Sequence, residues 1–234
     1  MMPINYTILK KSEDNLRKMF FDYLDQAYQM HLKLTELISI YQNKIDIEGL
    51  FLEINNREKQ SDLTQVNTIE ELLWDISKDQ PLLSHLRWYI CVLTSSGDIE
   101  RICDYLYFMA RFFYQNKKIP QEVVNAALAM NIELSKIFKE YSSRLQDEKS
   151  TKEFFKEFQK QKVEYKQFCD KEIKKMARKL TKNDEYSNEI IIKFSFELHS
   201  YYRVVERLEN IIENLIFIHD TDFFRKKLEN EEMF

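Results

Sequence analysis

Ser96-Gly97-Asp98-Ile99-Glu100-Arg101-Ile102-Cys103-Asp104-Tyr105, running on to Phe113, is the stretch that decides the reading of this chain. Ile99, Ile102, Cys103, Leu106, Met109, Ala110 and Phe113 recur at three- and four-residue steps, the spacing of one buried stripe on a helix. Glu100 and Asp104 lie one turn apart beside that stripe and share a helix face. Like charges so placed repel by about 0.2–0.5 kcal/mol in an isolated helix. Three things can compensate them: a metal ion, a basic partner or water.

The composition around this stretch predicts an all-α protein. Gly 2 and Pro 3 among 234 residues are too few for the many turns of an all-β chain. A net charge of -4 argues against nucleic acid as a partner for the whole surface. The basic run from Lys149 to Lys182 is interleaved with Glu153, Glu157, Glu164, Asp170 and Glu172. It reads as a solvated, ion-paired helix face, the alternative being a patch for anionic lipid or an acidic partner. Cys91, Cys103 and Cys169 are odd in number, far apart and within helical patterns, as buried thiols of a reducing compartment would be. Met1 to Leu9 lack the basic start and apolar run of a signal peptide, and no segment reaches the ~20 apolar residues of a membrane span. A cytoplasmic protein is expected.

Apolar periodicity predicts helices over Ser12–Asn43, with Ser12 as N-cap, and over Asp46–Ser77. Inside the second, Asn55 to Asp62 is polar all round, either an exposed run of helix or a break. A third helix is expected from Pro81 to about Gln115, with Gly97 at its centre marking close approach by another helix. Asn116-Lys117-Lys118-Ile119-Pro120 is the clearest boundary. Beyond it come helices over about Gln121–Gln146, Thr151–Leu180 and Glu185–Ile218, with a break at Thr181–Asp184 and a fraying tail from Asp220 to Phe234. Val205-Glu206-Arg207-Leu208-Glu209-Asn210 echoes Ile99-Glu100-Arg101-Ile102-Cys103-Asp104 in the third helix of each half. A duplicated three-helix unit follows, with domains 1–117 and 118–234.

Gln80-Pro81, Leu86-Arg87 and Asp98 to Asp104 are similar, in order and spacing, to the run closing the first repeat of the PhoU family of bacterial phosphate-transport regulators. Ser200 to Asn214 resembles the run closing the second repeat, with Glu206, Arg207, Asn214 and the acidic Glu209/Glu213 flank surviving. The resemblance implies two tandem PhoU-like three-helix bundles. It implies a regulator of phosphate uptake and homeostasis that contacts the ATPase subunit of the phosphate ABC transporter, peripheral to the membrane through that partner, and a sensor kinase where one exists. Homodimerisation is common in the family, and members can carry iron or zinc on acidic motifs. Carried onto this chain, the metal positions are Glu100, Asp104 and Glu206, and the partner-contact positions are Glu100, Arg101 and Asp104. The chain departs from the pattern at Asn210, where the second motif has aspartate. Asn55 and Asn56 after Glu53, and Lys166, stand at other positions the family makes acidic.

Catalysis is not expected. Glu197-Leu198-His199 has the wrong spacing for a di-iron Glu-x-x-His ligand pair, and two glycines cannot build a phosphate loop. His31, His85, His199 and His219 read as surface or half-buried structural residues. The rival class is a helical scaffold, adaptor or metal-binding bundle unconnected with phosphate. Trp74, Trp88, Tyr89, Phe112, Phe113, Tyr114, Phe154, Phe155 and Phe158 could serve either a core or a partner surface, and most, at helical spacing, belong to the core by default. Phe112-Phe113 and Phe154-Phe155 cannot each face one stripe, so one of each pair is expected at the surface or against a partner.

Overall fold

The computed structural model describes residues 6–43, 46–145, 151–180, 185–220 and 222. They form six helices: α1 (Tyr6–Gln42), α2 (Glu48–Asp79), α3 (Ser84–Gln115), α4 (Gln121–Arg144), α5 (Thr151–Leu180) and α6 (Glu185–His219). No strand occurs among the described residues. The break at Thr181–Asp184 and, apart from Asp220 and Asp222, the expected tail lie outside them.

Each helix exists because an apolar face needs burial. In α1, Leu16, Phe20, Leu24, Ala27, Met30, Leu34 and Ile38 are all essentially inaccessible to water, at the steps a single helix face dictates. The stripe from Ile99 to Phe113 is buried throughout, as its spacing predicts. Within the first half α1, α2 and α3 pack on one another, and α4, α5 and α6 do so in the second. The most extensive packing nevertheless joins α3 to α6, and α1 lies against α4. All six helices feed one continuous core.

The halves repeat in detail. The buried positions Phe51, Ile54, Ser61 and Leu72 of α2 return at one constant spacing as Phe155, Phe158, Tyr165 and Met176 of α5. Trp88, Val92, Ile99, Ile102, Leu106 and Met109 of α3 return as Phe194, Leu198, Val205, Leu208, Ile212 and Leu215 of α6. α1 meets α4 and α3 meets α6 antiparallel, as a two-fold axis running across the helices produces. Tyr28 packs on Phe138 while His31 bonds Ser135, and each contact is the image of the other.

Several local expectations are corrected. α1 begins before Ser12, whose hydroxyl donates to Asp79 Oδ2 at 2.7 Å instead of capping a helix. Of the two alternatives open at Asn55–Asp62, the helix holds: α2 runs unbroken through it. α3 begins at Ser84, not Pro81, because Gln80 (φ 45°) and Leu83 (φ 54°) turn the chain through the left-handed region between the two helices. Phe112, Phe113, Phe154 and Phe155 are all buried: α3 is covered on two sides, Phe112 meeting Phe194 of α6 with ring centres 5.6 Å apart, and α5 packs against both α4 and α6. Trp74 and Tyr114 are the reverse case, 69% and 39% exposed. His31 is fully buried, its Nε2 2.7 Å from Ser135 Oγ, and burial lowers its pKa to about 4. The three cysteines are free and buried, as expected. Gly97 does mark a close approach: a Cβ there would lie 3.3 Å from Gln65 Nε2 of α2.

Candidate functional site

The half-buried side of α3 that carries Glu100 and Asp104 faces α2. Tyr23 on α1 donates to the Ser61 carbonyl at 3.0 Å, pinning α2 at the level of this pair. Glu58 and Asp62 on α2 therefore meet α3. Carboxylate oxygens of Glu58, Asp62 and Asp104 lie within 4.8 Å of one another, and Glu100 hydrogen-bonds Asp104 beside them. Four acids from two helices converge on one spot.

The electrostatics record the crowding. Burial, the Asp104 and Asp62 charges and the Asp104 hydrogen bond together push the Glu100 carboxyl up to about 7. Burial and the neighbouring Asp62 charge also raise Asp104, and burial with Asp62 and Asp104 raises Glu58. Arg101 and Lys59 pull in the other direction, but both are exposed and do not reverse these shifts. Such a set fits a cation: oxygen donors from different helices are the ligands that hard and borderline metals take.

The other positions singled out in the sequence stand elsewhere. Glu206 on α6 is ion-paired with Arg203 at 2.7 Å, outside the first-half cluster. Asn210 and Arg207 turn instead to Asp98 of α3: Arg207 Nη1 donates to Asp98 Oδ1 at 3.0 Å and Asn210 Nδ2 at 3.3 Å. An aspartate at 210 would set a second negative charge against Asp98, so this interface requires the amide. Glu53 serves Arg57 and Lys33; burial raises its carboxyl, but these two cations outweigh that and hold it below the usual range. Lys166 is exposed.

Sequence reasoning missed Glu58 and Asp62, set aside within a polar run. The signal was present: they stand four residues apart, the spacing of Glu100 and Asp104. A separate groove of about 730 Å³, lined by Tyr41, Asp46, Phe113, Lys117, Lys118 and Val124 among others, lies at the α3–α4 connection away from these acids.

Fold and site together define a class: a tandem helical bundle with a multi-carboxylate site between two helices of its first repeat. The PhoU domain model matches residues 25–113, which include all four acids. The chain is 30% identical over 222 residues to the uncharacterized protein MG409 of Mycoplasma genitalium, covering 94% of this chain and 98% of that one. It is 29% identical over 229 residues to the homologous protein of Mycoplasma pneumoniae, covering 96% and 100%. Among solved structures, PhoU from Pseudomonas aeruginosa is similar with a TM-score of 0.69 at 19% identity, covering 89% of this chain and 97% of that one. The phosphate transport system regulatory protein PhoU of Streptococcus pneumoniae gives 0.65 at 17%, covering 92% and 98%. The chain belongs to the PhoU family.

Proposed function

We propose that this protein is a non-enzymatic, cytoplasmic regulator of phosphate uptake and homeostasis, acting by contact with the ATPase subunit of a phosphate ABC transporter and with a sensor kinase where one is present. Family membership supports the class. Among the described residues no helix is long and apolar enough to cross a membrane, so membrane association would run through the partner.

The observation that carries contact as the mode of action is on the outside of α2. Leu63, Val66, Leu73 and Trp74 are exposed along this helix, starting beside Asp62, and Leu82 and Leu83 follow in its connection to α3. Leu83 is 79% exposed and holds a sparsely populated backbone conformation, φ 54° and ψ -122°, that costs about 1–3 kcal/mol. A strained leucine in water contributes nothing to the fold. It makes sense as a contact residue at the end of the exposed α2 stripe, where α2 joins α3.

In this reading Glu58, Asp62, Glu100 and Asp104 would hold iron or zinc, and the bound charge would relieve the repulsion that the four acids share. The same exposed stripe would serve a homodimer, which sizing of the purified protein reports. A tagged chain recovered from native membranes tests the assignment. Co-recovery of a phosphate-transporter ATPase, lost on Leu73→Ser with Trp74→Ser, is the expected result. Recovery of no transporter component from cells that express it would leave a helical scaffold unconnected with phosphate.

A further inference from the structure

We propose that the second half carries its own cation: the Lys162 ammonium fills, between α5 and α6, the place a metal ion would take between α2 and α3. This rests on reading the first-half acids as a cation site.

The register of the repeat places the residues. The spacing that superposes Phe51 on Phe155 and Ser61 on Tyr165 brings Glu58 to Lys162 and Asp62 to Lys166. The spacing that superposes Ile99 on Val205 brings Glu100 to Glu206 and Asp104 to Asn210. Where α2 offers two acids, α5 offers two lysines. α6 carries Glu206, Glu209 and Glu213, the last two buried, and Glu209 meets α5. A buried carboxylate needs a compensating charge. Lys162 Nζ donates to Glu209 Oε2, and Arg203 takes Glu206. Both neutralising cations belong to the chain.

A tethered ammonium differs from a metal in one functional respect: it cannot leave. It is a compact point charge with three donors, held at fixed effective concentration by its own helix. The α5–α6 pair is thus locked in its cation-satisfied arrangement, and only α2–α3 responds to metal supply. Regulation by metal enters through one half.

The test is Zn²⁺ uptake by the full chain, counted by equilibrium dialysis with elemental analysis, for the wild type, Lys162→Glu, and Lys162→Glu combined with Glu209→Gln. Lys162→Glu is expected to take one equivalent more than its parent, and the added Glu209→Gln to remove that equivalent. A folded Lys162→Glu variant with no added equivalent overturns the proposal. Wild-type uptake reads the first half by itself, so a parent that binds nothing defeats the first-half reading without touching the difference that tests Lys162. Should Lys162→Glu fail to fold, Lys162→Gln replaces it. Zn²⁺ is then expected to raise the Tm of that variant by more than it raises the parent's, and equal shifts would overturn the proposal.

Discussion

In the first half Glu58 and Asp62 of α2 face Glu100 and Asp104 of α3; in the second, Lys162 and Lys166 of α5 hold the matching register positions, and Lys162 pairs with Glu209 of α6. The apolar positions of the two halves superpose, whereas α2 carries two acids where α5 carries two lysines. The core keeps its pattern because a changed volume there is costly. The half-buried polar layer is freer, since its only physical demand is that each charge find compensation. One half leaves that demand to be met from outside, as the raised Glu100, Asp104 and Glu58 carboxyls record. The other meets it with Lys162 and Arg203.

The largest effects should ignore the difference between halves. Leu106 and Ile212 are image positions, both wholly buried in one continuous core. Substituting alanine at either should cost about 2–5 kcal/mol. Chemical denaturation should show one transition for each variant; a half that melts separately would mean two independent cores.

Arg101 and Arg207 should then separate the halves sharply. Arg207 holds the poorly accessible Asp98, so Arg207→Ala should cost about 2–3 kcal/mol by stranding that carboxylate. The image of Asp98 in α6 is Val204, and Arg101 is exposed, so Arg101→Ala should stay within about 0.5 kcal/mol. Equal losses would show that the two-fold relation is not broken at this bridge.

A subtler contrast is one of pH. The folded protein keeps the Glu100 proton to about pH 7, while an unfolded chain releases it near 4.5. The folded state binds more protons in that window, so metal-free protein should lose stability as pH rises through it. Glu100→Gln should flatten this slope. His31 acts in the opposite sense, its contribution present above 6.5 and lost as pH falls toward about 4. The difference between parent and variant is therefore the quantity to measure.

The smallest effect is expected at Gly97. Alanine gains about 1 kcal/mol of helix propensity, offset by the contact with Gln65 Nε2, the movable end of a long side chain. Thermal melting of Gly97→Ala should shift little in either direction.

Much of this was legible in the chain. The six helices, the stripe around Glu100 and the echo at Glu206 follow from periodicity, which reports burial directly. Glu58 and Asp62 were hidden because a polar run gives no stripe; only their four-residue spacing marked them. Phe112 and Phe155 defy the one-stripe reading since periodicity assumes one buried face, while α3 is covered by α6 as well as its own half and α5 lies against both α4 and α6. Asn210 looked like a decayed ligand. Its partner, Asp98, lies on a helix of the other half, and no local pattern pairs residues so distant in sequence. Leu83 was unreadable for a different reason, since its backbone strain is set by the turn that joins α2 to α3.

The most direct test of the account is the anomalous difference map of a crystal grown with iron or zinc. A peak is predicted among Glu58, Asp62, Glu100 and Asp104, with none where Lys162 meets Glu209. Density in the second half, or none among the four acids of the first, would contradict it.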